Sequence, residues 1–196
     1  QRIAGEIHDD PIQKLSAVAL RLGMLSKEDD EQKRSEIITH IRKTVEDVMS
    51  RLRRMLFELS PRTLETGGLV EALREYVQHA NHEDTTLYHL ESTLTTDLHE
   101  EKRTIAYRVI LEALSNVRKH ASAENATIGL ADMDGGVHCS VADDGRGIAP
   151  EDLGGVLPGH LGIASMRERV EMAGGWIKTS SLPGQGTTVE FWLPAV

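Results

Sequence analysis

The stretch Val141-Ala-Asp-Asp-Gly-Arg-Gly-Ile148 decides how the rest of the chain is read. Val141 closes a short apolar run that has the pattern of a strand, and Asp143 stands where that strand stops. Gly145 and Gly147 then allow a tight turn and a close approach of backbone to a ligand. A carboxylate at a strand end, followed by two positions without side chains, can hold a flat amino-heterocycle. Asp143 accepts a hydrogen bond from an exocyclic amine while the glycines leave space for the ring. Asp-Gly and Gly-x-Gly also mark ordinary turns, so the reading depends on what stands on either side.

Two more glycine turns follow. Gly159-His-Leu-Gly162 precedes a helix over about 161–173 that stops at Gly174-Gly175. Amides at such a helix start bind phosphate, and Gly159 and Gly162 allow the approach. Gly184-Gln-Gly-Thr187 joins two strands at 176–181 and 187–193, with Gly184, Gly186 and Thr187 at the turn. Upstream, helical spacing runs from Leu98 to Ala121 and places Glu112, Asn116 and Lys119 on one polar edge, with His120 beside them. The Asn116 carbonyl is a hard oxygen suited to Mg²⁺. Lys119 and His120 can neutralise phosphate, or simply favour the negative end of the helix dipole.

Strands at 85–92, 126–131 and 137–142, a hairpin turn at Asp134-Gly-Gly136 and a helix from about Gly68 to Asn81 complete this half. The pattern predicts an α/β sandwich: a mixed sheet with helices on one face. A phosphate-binding loop of the Gly-x-x-x-x-Gly-Lys-Ser/Thr type is absent, as is a His-Arg-Asp catalytic loop.

The first 60 residues read differently. Ile38, Ile41, Val45, Val48, Leu52, Met55 and Leu59 alternate spacings of three and four, which is a heptad seam. Leu15, Val18, Leu22 and Leu25 repeat the spacing on an earlier segment, with the polar turn Ser26–Glu31 between. Two amphipathic helices with so little core predict a hairpin that pairs with a second copy, as a four-helix homodimer.

The first helix carries His8-Asp-Asp-Pro-Ile-Gln13. A neutral imidazole is nucleophilic near neutral pH, and the adjacent Asp9 can orient it and take its proton. Asp9 and Gln13 lie one helical turn apart. Continuing the Leu15–Leu25 stripe backwards turns His8 toward the buried side. A kink at Pro11, with its own Ile3–Ile7 stripe, turns it toward solvent.

Composition narrows the function classes. A net charge of -9 argues against a general nucleic-acid or anionic-membrane binder. The single cysteine, Cys139, excludes an internal disulfide framework and a cysteine-based zinc site. No apolar stretch reaches the ~20 residues that span a bilayer, so no membrane contact is expected within this stretch, and the opening at Gln1 reads as part of an excised cytoplasmic fragment.

In order, these pieces resemble the sensor histidine kinases of two-component systems, and most closely the class that includes nitrate sensors and a membrane-fluidity thermosensor. The resemblance rests on His8–Gln13 as a phosphoacceptor box, Glu112–His120 as an N box, and Asp143–Gly147, Gly159–Arg169 and Gly184–Thr187 as three glycine boxes. It implies an α+β chain with two domains. A dimerisation and phosphotransfer hairpin (1–62) would be followed by a Bergerat-type ATP-binding sandwich (63–196).

It further implies ATP and Mg²⁺ as substrate and cofactor, with a response-regulator receiver domain as partner. His8 resembles the phosphorylated histidine, Asp9 its base, and Gln13 the residue that positions water for dephosphorylating the regulator. Glu112 joins them as a catalytic candidate. Asn116 resembles the Mg²⁺ ligand, Lys119 and His120 phosphate contacts, and Asp143 the adenine contact. The loop from Gly147 to Gly159 is short and has no phenylalanine-bearing box, in keeping with the nitrate-sensor class. Two other readings use the same nucleotide fold: a serine kinase or ATPase in which Glu112 activates a serine or water, and a nucleotide-binding dimer scaffold. Neither gives His8, Asp9 and Gln13 a purpose.

Overall fold

A computed structural model describes residues 2–25, 30–58, 62–148 and 161–195, with the helix backbone alone at 2–10, 50, 51, 53–58 and 161. The chain divides into two compact units, Gln1–Leu59 and Ser60–Val196.

The first unit is a helical hairpin. Helix α1 spans Arg2–Leu25 with Pro11 inside it, and α2 spans Glu31–Glu58. Asp30 starts α2: its carboxylate accepts from the amides of Gln32 at 2.9 Å and Lys33 at 3.3 Å, groups with no partner inside the helix. The two helices pack along each other. Val18 and Val48 are buried between them, whereas Leu15, Leu22, Ile38 and Leu52, from the same heptad pattern, remain exposed on this single chain.

The second unit begins with α3, Arg62–Glu83, which bends sharply at Gly68 (φ 79°, ψ -178°). The segment 62–67, which precedes the helix expected from about Gly68, is itself helical. Leu64 overrides its turn-like composition, because that side chain is only 2% exposed and belongs to the core of this unit. Arg103 fixes the corner: it donates to the Leu64 carbonyl at 3.0 Å and pairs with Asp97 at 3.1 Å. The Asp97 carboxylate in turn fills the space where a side chain at residue 68 would stand.

Strand β1 (Leu87–Ser92) leads through helix α4 (Glu100–Asn116) and a π-helical turn (Val117–Ala121) into β2 (Asn125–Met133). Next come β3 (Gly136–Asp143), helix α5 (Leu161–Met172), β4 (Trp176–Ser181) and β5 (Thr187–Pro194). The sheet order is β1-β2-β3-β5-β4. β1 runs parallel to β2, and every other pair is antiparallel.

Alternation along the strands sends Tyr88, Ile128, Leu130, Cys139, Val141, Val189 and Phe191 to one face, under α4 and α5. Cys139 is a packing residue there, and burial pushes its thiol pKa well above the ordinary value. The opposite face carries polar and aromatic side chains such as His138, Lys178, Glu190 and both tryptophans, which are half-buried or exposed.

Strand β1 lies at the edge of the sheet, and one side chain meets its outer backbone. The Asn81 amide accepts from the Tyr88 amide at 2.7 Å and donates to the Tyr88 carbonyl at 2.9 Å, standing in for a neighbouring strand. Asn81→Ala leaves both groups without that partner. We expect a loss of about 1–3 kcal/mol in urea denaturation of the second unit, whereas Asn81→Asp retains only the acceptor half of the pair and is intermediate.

Candidate functional site

The strand register assembles a polar row at one end of the helix-covered face. Asp143 on β3 lies opposite Thr187 on β5, and Thr187 opposite Ser181 on β4. Period-two alternation carries all three to the side of Val141, Val189 and Thr179. A carboxylate and two hydroxyls therefore end three strands side by side, next to the loops that follow them.

The adjacent aspartates have separate tasks. Asp144 accepts from the amides of Glu124 and Asn125 at 2.8 and 2.9 Å and from the Asn125 side chain at 2.9 Å, so it staples the start of β2. Those hydrogen bonds, the Asn125 amide first, hold its pKa below the ordinary value. Asp143 is half-buried, and desolvation pushes its pKa up, against the opposing effect of hydrogen bonds from the Gly145 and Thr187 amides. An ionised carboxylate has about four acceptor positions. The Gly145 and Thr187 amides occupy two of them.

The loops after β3 and before β5 are interlocked through their backbones. Gly186 (φ 77°) lies so near the Asp143 carbonyl that a Cβ would collide with it, and a Cβ on Gly147 (φ 69°) would collide with the Leu182 carbonyl. At both positions a close backbone neighbour and a left-handed conformation together require glycine. The Gly184 amide donates to the Arg146 carbonyl at 2.7 Å, and the Arg146 amide donates to the Ala121 carbonyl at 2.8 Å. Gly145 packs against that same Ala121 carbonyl. The first and third glycine turns and the end of the π-helical turn are thus one structure. Ser181, which the sequence reading passed over, ties it further: its hydroxyl meets Ile148, Gly186 and Thr187. The available signal was its place at a strand end just before the third glycine turn.

Glu112 and Asn116 are half-buried on α4, and Lys119 and His120 are exposed on the π-helical turn. A single α-helical edge through Lys119 was expected. The period widens after Asn116, so the shared edge reaches Asn116 and the two basic residues are placed by the wider turn. The Asn116 side chain makes no capping hydrogen bond to the turn that follows it. Glu112 touches the second glycine box: its carboxylate occupies the space where a side chain on Gly162 would stand. Gly159 lies outside the described residues. On α1, Gln13 is exposed, and His8 and Asp9 are described by helix backbone alone. Among the described residues no cluster of three or more His, Cys, Asp or Glu side chains could hold a metal ion. An Asn116 oxygen completed by phosphate and water does not need such a cluster.

Residues 101–196 match the family described as "Histidine kinase-, DNA gyrase B-, and HSP90-like ATPase", and residues 1–64 match the "Histidine kinase" family HisKA_3. The chain belongs to the sensor histidine kinases. The HisKA_3 match fits the nitrate-sensor class of this family, and the ATPase-domain match implies ATP binding.

Two curated histidine kinases are similar over 99% of the chain. The Signal transduction histidine-protein kinase/phosphatase DegS of Brevibacillus brevis is 27% identical, with 50% of its length covered. The Sensor histidine kinase NarS of Mycobacterium tuberculosis is 33% identical, with 44% covered. The chain thus spans about half the length of these relatives.

Among solved structures, the histidine kinase domain of the Erythrobacter litoralis EL346 blue-light activated histidine kinase has the same fold. Its TM-score is 0.56 at 20% identity, covering 92% of this chain and 96% of that one. The catalytic domain of histidine kinase ThkA aligns with a TM-score of 0.53 at 19% identity, covering 66% of this chain and 92% of that one.

The opposite pKa shifts of the two aspartates give opposite pH behaviour. For Asp143, whose folded pKa is raised, the stabilising contribution is present below the unfolded value near ~4 and is lost as pH rises through the folded value. For Asp144, whose folded pKa is lowered, the contribution is present above ~4 and lost as pH falls through the folded value. In urea denaturation, Asp143→Asn is expected to match or exceed wild type at pH 7, with no such advantage at pH 3. Asp144→Asn is expected to be less stable at pH 7 and to approach wild type at pH 3.

Proposed function

We propose that this chain is the catalytic core of a protein-histidine kinase. It uses ATP to phosphorylate His8 and then passes the phosphoryl group to an aspartate on a response-regulator receiver domain. The observation that carries the reading is the half-buried Asp143 carboxylate, held by the Gly145 and Thr187 amides at the junction of two interlocked glycine turns. It is an acceptor aimed by backbone, suited to an exocyclic amine such as that of adenine.

In this reading Asp143 and Thr187 hold the base, and Gly145, Gly147, Gly184 and Gly186 shape the turns beside it. Gly159 and Gly162 belong to the phosphate side, and Lys119 and His120 neutralise phosphate charge. Asn116 would hold Mg²⁺, which supplies further neutralisation of phosphate oxygens. Phosphoryl transfer asks the protein mainly for positioning and charge stabilisation. His8 attacks in line and Asp9 takes its proton. Glu112 sets the start of α5 through Gly162. Gln13 orients water for dephosphorylating the regulator, a second activity of the same hairpin.

The domain division is taken as 1–62 for phosphotransfer and 63–196 for ATP binding, acting in the cytoplasm as a homodimer. No helix among the described residues is long and apolar enough to cross a membrane. The exposed Leu15, Leu22, Ile38 and Leu52 support the dimer, since they repeat at heptad spacing and one hairpin alone leaves them facing water.

Transfer of label from [γ-³²P]ATP tests the nucleophile. His8→Ala is expected to reduce acid-labile labelling to background while ADP binding is retained, and Asp9→Asn to slow labelling by about 10²-fold or more. Labelling of His8→Ala at the wild-type level, or acid-stable label, would exclude the assignment. For the oligomer, sedimentation equilibrium of Leu22→Glu/Leu52→Glu is expected to give monomer where wild type gives dimer. A dimer that survives both charges would place the interface elsewhere.

A further inference from the structure

The hydrogen-bond geometry points to Ser181 as a positioning residue that sets which purine edge the site accepts, by fixing the direction of the Thr187 hydroxyl. This rests on the proposal that Asp143 and Thr187 face the base.

A serine hydroxyl has one proton to donate and two lone pairs with which to accept. At Ser181 all three are assigned. The Ile148 amide donates to its oxygen at 2.8 Å, taking one lone pair. The Ser181 proton goes to the Gly186 carbonyl at 2.8 Å. The third contact, to the Thr187 hydroxyl at 3.0 Å, could have either oxygen as donor when taken by itself. With the Ser181 proton already spent, Thr187 must donate. Its own proton therefore points to Ser181, and only lone pairs remain for anything else that meets the Thr187 oxygen.

The consequence follows from the register. Thr187 sits directly opposite Asp143, and an ionised carboxylate can only accept. The two neighbours therefore present an acceptor-only edge. A purine with an amino group there is matched; a purine with a carbonyl there meets oxygen lone pairs and has no donor to turn to. Asp143 alone favours the amine. Ser181 removes the alternative in which the Thr187 hydroxyl rotates and donates to a carbonyl. The residue needs no contact with the nucleotide, because it acts through a proton on its neighbour.

The experiment compares ADP with IDP by calorimetric titration of the full chain with Mg²⁺ present. The two differ at C6 by an amine against a carbonyl and at N1 by a bare lone pair against an N–H. Because the N1 difference is the same for every variant, the change in the ADP-to-IDP ratio between variants reads the C6 contact. Wild type is expected to prefer ADP. Ser181→Ala is expected to reduce the ADP-to-IDP preference by about fivefold or more, the scale of one hydrogen bond, with IDP affinity unchanged or improved. Ser181→Thr, which keeps one proton and two lone pairs, is expected to restore the wild-type ratio.

Equal weakening of ADP and IDP in Ser181→Ala would overturn the proposal, since a purely structural knot affects both nucleotides alike; so would an unchanged ratio. If circular dichroism shows Ser181→Ala unfolded, Ser181→Cys carries the same test: its thiol is only a weak donor and acceptor, so the Thr187 hydroxyl is free to turn, and the preference must fall in the same direction. A wild-type chain that binds neither nucleotide would refute the nucleotide site itself, an outcome distinct from binding with an unaltered preference.

Discussion

The close approach of Gly186 to the Asp143 carbonyl is the constraint on which the site depends. It forces the turn before β5 against the end of β3, so the Asp143–Thr187 pairing is fixed both by the ladder and by the loops beyond it. The Thr187 amide can then serve the Asp143 carboxylate, and Ser181 can reach Ile148, Gly186 and Thr187 together. Loops positioned by a sheet edge usually retain freedom of their own. Here backbone hydrogen bonds from Gly184 to Arg146 and from Arg146 to Ala121 join three separate segments into one rim. A side chain at residue 186 would disturb the carboxylate as much as the turn.

Adjacent Asp143 and Asp144 show how one dipeptide can be divided between scaffold and chemistry. Asp144 has its amide partners at Glu124 and Asn125, where β2 begins, and its pKa falls; Asp143 is drawn toward the core and its pKa rises. The stabilising work is done one residue away from the group proposed to meet the ligand. That arrangement lets Asp143 keep acceptor positions for a base without leaving the start of β2 unpinned.

Much of this was legible in the sequence because it is periodic. The alternation of three and four from Ile38 to Leu59 gives α2, and period-two runs give β3, β4 and β5 close to their observed limits. What escaped was aperiodic or depended on distant partners. The π-helical turn at Val117–Ala121 breaks the spacing that placed Lys119 in line with Glu112. The helix expected from about Gly68 starts earlier, at Arg62, because Leu64 finds a place in the core that no local pattern announces. Asn81 and Ser181 are small polar residues whose value lies in the backbone groups they meet. The glycines were legible as turns, but sequence alone attributed their smallness to a ligand, whereas at Gly147 and Gly186 neighbouring carbonyls already demand it.

The burial of Leu64 has a practical consequence for anyone dissecting the molecule. A truncation beginning after the glycine pair, where composition suggests a natural start, removes a core side chain and the carbonyl that receives the Arg103 guanidinium. The shortened product would carry a hole beside the first turn of α4, and Arg103 would lose one of its anchors. Losses of nucleotide binding in such a fragment would then report damaged packing at the far end of that helix rather than anything about its ligand.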